Sequence, residues 1–344
     1  MRTILATAPT RICDCGGWTD TWFAGHGSVF HIAIEPGVGV RVDLTPVAGA
    51  PPPVTVAAAS FGDRYEYRPG TRPWVKHPLL EAAIESVGVP PHVAVSITIE
   101  SAVPPGASTG TSAAVCVALI GALQAARGIR VDPGAIAAAA HAVETERLGQ
   151  QSGVQDQLAA AYGGINFIDI FEYPKWRVHP LRVPDEARAA LERQLLLVYL
   201  GRTHHSSAVH EAVVRDVSDV GPDHPVISDL RHHAAQARDA AIGGDVAALG
   251  AAMRANTEAQ GRLHPSLVGP DASRVIAIAS AHGALGWKVN GAGGDGGSVT
   301  ILTGSDPASR HATEHAIEAA GAGCRVIPIR FATRGLQVRE TQRG

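Results

Sequence analysis

Residues 103–114 read VPPGASTGTSAA, and the chain continues as VCVALIGALQAA to residue 126. Gly106, Ser108, Thr109, Gly110, Thr111 and Ser112 stand directly before a run with the length and apolar character of a buried helix, predicted over Thr111–Ala126. Glycine lets backbone N–H groups converge without obstruction by Cβ. The first turn of a helix adds unpaired N–H groups at the positive end of its dipole. A loop built this way can hold a phosphate without lysine or arginine. Taken alone, the run is equally a small-residue turn that caps a helix. It lacks the lysine of G-x-x-x-x-G-K-[ST] and the spacing of G-x-G-x-x-G, so neither common nucleotide fingerprint applies.

The chain has 344 residues, enough for two domains. With 29 basic and 32 acidic residues its net charge is −3, and no basic run is present, which excludes a generic nucleic-acid binder. An anionic ligand must therefore be held locally. Lysine is confined to Lys76, Lys175 and Lys288, which reads as composition bias. The opening MRTILATAPTRI has no signal-peptide layout, and no apolar stretch approaches the ~20 residues of a membrane span, so a cytoplasmic protein without membrane association is expected. Cys13, Cys15, Cys116 and Cys324 are too few for a disulfide scaffold and read as structural thiols.

The first third alternates strand-like runs (TILATAP, SVFHIAIE, GVRVDL, VTVAAAS, RYEYRP, HVAVSITIES) with turns, interrupted by a helix over about 76–87. A further helix follows Asp132, a candidate N-cap with Pro133 at the first helical position. GGINFIDI reads as a strand. The Pro- and charge-rich YPKWRVHPLRVPDEAR, residues 173–188, is the boundary candidate, dividing the chain into 1–180 and 181–344. Beyond it lie a buried strand QLLLVYLG, Ala-rich helices, a strand–glycine loop–strand unit GWKVNGAGGDGGSVTIL, a helix, and a last strand CRVIPIRFA.

Four separated segments, APTRICDCGGWTDT, VPPGASTGTSAA, ETERLGQQSGVQDQLAAAYGGINFIDI and VNGAGGDGGSVTIL, occur in the order and spacing of the GHMP small-molecule kinases, which the chain resembles over nearly its whole length. Within that superfamily it is most similar to the branch of D-glycero-D-manno-heptose 7-phosphate kinases and L-fucokinases. The resemblance implies an α+β, two-domain fold with an N-terminal half like ribosomal protein S5 domain 2 and a ferredoxin-like C-terminal half, the active site lying between them.

Residue by residue, the resemblance assigns Pro104, Gly106, Ser108, Thr109, Gly110, Thr111 and Ser112 to the loop around the ATP phosphates, with Ser108 where the family has glycine and Thr109 where it has leucine. Should that backbone need positive φ, the serine costs energy. Ser112 and Glu144 match the family's Mg²⁺ ligands, Glu146 being the less suitable neighbour. Asp156 matches the acid that faces the acceptor hydroxyl, as general base or orienter. Arg11 matches an arginine close to that acid and to the transferring phosphate. Asp20, with Gly17 and Trp18, matches the sugar-binding motif. Gly293 belongs to the late glycine loop, where Asp295 is expected to turn away from phosphate. Arg202, His204 and His205 in GRTHHSS are candidates to receive a substrate phosphate.

The implied function is ATP- and Mg²⁺-dependent phosphorylation of an anomeric hydroxyl, with a heptose 7-phosphate as first acceptor and L-fucose or another free sugar as the alternative. The partner is a small sugar or sugar phosphate, and a homodimer is compatible with the sequence. A sensor that binds sugar without turnover is the rival from another class.

Overall fold

The computed structural model describes residues 1–202, 213–215, 217, 220–321 and 323–342. Two long strands form its spine. β1 (Arg2–Cys15) and β2 (Gly27–Pro46) run antiparallel, with Arg2 opposite Leu44 and Thr7 opposite Gly39. The register shifts between Ala8 and Thr10 and again between Ile12 and Cys15, which bends β1 where it carries Arg11 and Asp14. β3 (Val54–Ala58), β4 (Asp63–Tyr67) and β5 (Val93–Ser101) extend the sheet along the second half of β2. β6 (Ile165–Glu172) pairs with its first half, and β7 (Lys175–Pro180) pairs with β6.

Helix α1 (Pro78–Val87) packs beside α2 (Thr111–Ala126) on this sheet. α2 is buried on almost every side, as its apolar sequence requires, and begins where predicted. α3 (Pro133–Ala142) is capped by Asp132, whose carboxylate accepts from the Ala135 N–H at 2.8 Å. A single π turn, Val143–Arg147, follows, and α4 (Gln155–Tyr162) then packs on α2 and α3.

The second unit holds α5 (Asp185–Gln194), β8 (Leu195–Tyr199), α6 (Pro225–Gly243), α7 (Val246–Leu263), α8 (Pro270–Ala281), β9 (Gly286–Val289), β10 (Ser298–Leu302), α9 (Pro307–Ala319) and β11 (Arg325–Ile327). Its four-stranded antiparallel sheet has the order β11-β8-β10-β9, covered by the helices. One apolar cluster joins the two units: Ile12, Phe30 and Ile32 of the large sheet meet Leu195, Ala234 and Met253.

Two organisational expectations shift. Most of the boundary stretch is structured, since Lys175–Pro180 pairs with β6 and Asp185–Gln194 is helical, which leaves residues 181–184 as the connection. The last predicted strand is split. Arg325–Ile327 joins the small sheet, whereas β12 (Arg330–Phe331) and β13 (Gln337–Gln342) return to the large one, β13 pairing with β1. Residues beyond 330 therefore complete the N-terminal sheet. Among the described residues, no helix is long and apolar enough to cross a membrane, and all four cysteines are buried and free.

Candidate active site

A cavity of about 810 Å³ opens over the N-terminus of α2 and is lined by residues 105–113, Arg11, Trp18, Asp20, Glu144 and Asp156. At its floor the loop enters the helix through Gly110, whose φ of +74° suits glycine and whose missing Cβ admits the Asp156 carboxyl: a Cβ there would stand 3.0 Å from Asp156 Cγ. Ser108 takes φ +57°, the left-handed conformation foreseen as costly for a serine. Its hydroxyl is buried with no partner among the described residues. Thr109 is fully buried, as the leucine it replaces would be, and its hydroxyl bonds that of Thr111 at 3.2 Å.

Arg11 organises the floor. Its Nε and Nη2 both lie 2.8 Å from Asp156 Oδ1, its Nη1 donates to the Ser108 carbonyl at 2.5 Å, and its backbone N–H donates to the Thr109 carbonyl at 3.0 Å. Burial works against the guanidinium charge, but Asp14, Asp156 and Asp20 together outweigh it and raise its pKa. Asp156 stands in the first turn of α4 and makes no capping bond there, so its carboxyl is free to serve Arg11 and the cavity.

Glu144 and Glu146 separate cleanly: the first is buried against the cavity and the second is exposed. Glu144 Oε2 accepts from Ser152 Oγ at 2.6 Å and from Gln157 Nε2 at 2.8 Å. Burial, and to a lesser degree Asp156, push its pKa up to about 7, against those two bonds. A cation beside Glu144 would reverse that balance. Glu144 and the exposed Ser112 hydroxyl on the cavity wall are hard oxygen donors, a set that fits Mg²⁺, which keeps several waters of its own. The orphaned Ser108 hydroxyl and the helix N-terminus fit a nucleotide's phosphates.

Asp20, 2% exposed, also lines the cavity and accepts from the Gln155 N–H at 3.0 Å. Burial, aided by Asp156 and Asp14, raises its pKa to about 6. Trp18 is largely packed among Phe23, Ile227 and Leu230, with one edge on the cavity. Gly17 does not reach the cavity wall; it packs against Asp14 and Gln155. Pro104 lies just outside, accepting from the Ala107 N–H at 3.3 Å. Gly293 packs on the Leu267 carbonyl, away from the cavity, while Gly291 and Ala292 of the same loop line it. Asp295 is exposed, as expected.

Arg202 is not brought to the cavity. Its guanidinium pairs at 2.7 Å with the buried Asp271, which also faces Arg274 at 3.3 Å. His204 and His205 lie outside the described residues.

Several contributors were not singled out in the sequence. Asp14 and Lys288, both fully buried, sit 3.5 Å apart, and Asp14 Oδ2 lies 3.8 Å from Arg11 and accepts from the Gly291 N–H at 2.9 Å. Lys288 thus belongs to the network behind the floor, which corrects its reading as composition bias. The available signal was its place in a four-residue strand otherwise apolar but for glycine. Gln157, polar within the apolar face of α4, was similarly legible as a partner of something buried.

Residues 77–164 match the family profile described as GHMP kinases N terminal domain. The chain is 25% identical over 201 residues to the D-glycero-alpha-D-manno-heptose 7-phosphate kinase of Campylobacter jejuni, an alignment covering 58% of this chain and only 59% of that protein's length. It is 28% identical over 260 residues to a mevalonate kinase of Pyrococcus horikoshii, covering 73% and 70%. In three dimensions it superposes on the crystal structure of a D-glycero-D-manno-heptose 1-phosphate kinase from Bacteriodes thetaiotaomicron with a TM-score of 0.76, covering 99% of this chain and 100% of the other at 18% identity, a likeness of fold. Residues 77–164 thus match a GHMP kinase N-terminal domain, and the two-unit α+β fold around them is the one these kinases share.

Proposed function

We propose that this protein transfers the γ-phosphoryl group of ATP to the anomeric hydroxyl of a sugar, with a D-glycero-D-manno-heptose 7-phosphate as the first acceptor to test. The observation that carries the reading is the Arg11 guanidinium, which holds Asp156 and the phosphate loop together at one point of the cavity. Phosphoryl transfer asks a protein mainly for positioning and charge stabilisation. Asp156 would orient the acceptor hydroxyl and take its proton as the new O–P bond forms and the bond to the β-phosphate breaks. Arg11 would hold that carboxylate in place and offset charge on the transferring group. Asp20 offers acceptor oxygens to vicinal sugar hydroxyls. Mg²⁺, held by Ser112 and Glu144, would neutralise the polyphosphate.

A free sugar is the second acceptor class, favoured by one observation: Arg202, the candidate for a substrate phosphate, is engaged by Asp271 instead. The test is a panel of sugars and sugar phosphates with ATP and Mg²⁺, read by ADP release and by NMR of the phosphorylated carbon. Phosphate at C6 or C7 with C1 free would overturn the anomeric assignment. Absence of acceptor-dependent ADP release across the panel would favour the sensor.

A further inference from the structure

The strained loop is held from the second unit. Asn290, fully buried at the end of β9, accepts at its Oδ1 from the Cys13 N–H at 3.2 Å and from Thr300 Oγ1 at 2.8 Å. Two donors on that oxygen fix which way the amide faces, so its Nδ2 donates to Ser298 Oγ at 2.9 Å. With its oxygen taken as acceptor, the Ser298 hydroxyl turns its proton to the Ala107 carbonyl at 2.5 Å. The relay runs in one direction, from β1 through Asn290 and Ser298 to the phosphate loop, and every member is buried.

Three successive loop carbonyls are thereby held: Ala107 by Ser298, Ser108 by the Arg11 side chain and Thr109 by the Arg11 backbone. A trans peptide directs its N–H opposite to its C=O. Holding these carbonyls against the protein turns the N–H groups of Ser108, Thr109 and Gly110 toward the cavity. Gly291 closes the arrangement, since a Cβ there would lie 3.0 Å from the Ser108 carbonyl oxygen and 3.2 Å from Arg11 Nη2.

We propose that Ser298 is a positioning residue for phosphate binding, acting from the C-terminal unit through Ala107 to aim the loop amides. The inference rests on the nucleotide reading of the cavity, and its test has an arm that needs no nucleotide. Ser298→Ala removes the donor to Ala107, and Ser298→Thr keeps it. Hydrogen exchange of the amides in residues 105–112, without nucleotide, should speed up about tenfold in the alanine variant, matching the loss of one buried hydrogen bond, and return toward wild type in the threonine variant. The KM for ATP should rise about tenfold in Ser298→Ala with the acceptor KM within twofold. Unchanged exchange overturns the clamp. Faster exchange with unchanged ATP KM, or ATP KM, acceptor KM and thermal midpoint all moving together, overturns its role in aiming the amides. A wild-type protein that binds no ATP in a direct titration overturns the nucleotide reading instead, while the exchange arm still decides the clamp.

Discussion

Replacing Asp20 by asparagine should stabilise this protein at pH 8 while weakening its hold on a sugar. Asp20 is buried on the cavity wall, where its carboxyl accepts from the Gln155 N–H. Burial leads the effects that lift its pKa from the ordinary 3.8 to about 6. The folded state thus resists ionisation of a group that ionises freely when unfolded. Below pH 3.8 both states are protonated and the cost is absent. It grows between pH 3.8 and 6 and is fully present above. A gap of about two pH units, at 1.36 kcal/mol each, makes it about 3 kcal/mol at pH 8 and about 1 kcal/mol at pH 4.5. Asparagine has the same shape, can still accept from Gln155 and carries no charge, so it removes this cost. Any penalty for housing its NH₂ group is the same at both pH values and cancels in the comparison. Urea unfolding followed by tryptophan fluorescence at the two pH values measures the difference. A gain of equal size at both, or a loss at pH 8 larger than at pH 4.5, would refute the reasoning.

Asp156→Asn should lower kcat by about two to four orders of magnitude with the KM for ATP changed only a few-fold, measured by steady-state ADP release; retained turnover would remove Asp156 from the chemistry. Glu144→Gln keeps an acceptor for Ser152 and Gln157 but loses the charge, so half-maximal activity should need about tenfold more Mg²⁺ in a titration. Because burial raises the Glu144 pKa from the ordinary 4.5 to about 7, a stability cost builds up as pH rises from 4.5 to 7 and is fully present above, so the glutamine variant should melt no lower than wild type at pH 8 in EDTA. Gly110→Ala meets both an unfavourable φ and the Asp156 carboxyl, so chemical denaturation should show a loss of about 1–2 kcal/mol or more, with a fall in kcat.

What was legible in the sequence is what local chemistry writes down. The apolar run behind Gly110 gave α2 to the residue, Asp132 and Pro133 gave the start of α3, and the positive φ suspected at Ser108 is present because the loop must turn there. The cavity brings together Arg11, Asp20, Glu144, Asp156 and the loop of residues 105–110, which lie far apart in the chain but within segments of recognisable pattern. Pairing over long distances was not legible. Nothing local in Gln337–Gln342 says that it pairs with β1, and nothing in GRTHHSS says that Asp271, far along the chain, takes up Arg202. The Asp14, Lys288 and Ser298 contacts were hidden for the same reason: each residue is ordinary in its own segment and acquires meaning only where β9, β10 and the loop between them meet β1 and Ala107.

The π turn at Val143–Arg147 amounts to one residue more than a regular helix would hold over the same span. Each residue in an α-helix turns the chain by about 100°, so deleting one here would swing all that follows by that angle. Glu144 would then part from Ser152, which reaches back from beyond the turn to bond it. The buried carboxylate is in this sense addressed by a count of residues. The spacing between it and the serine eight positions later offers a ruler for related chains: where the count differs by one, a glutamate in the aligned column cannot be assumed to face the cavity.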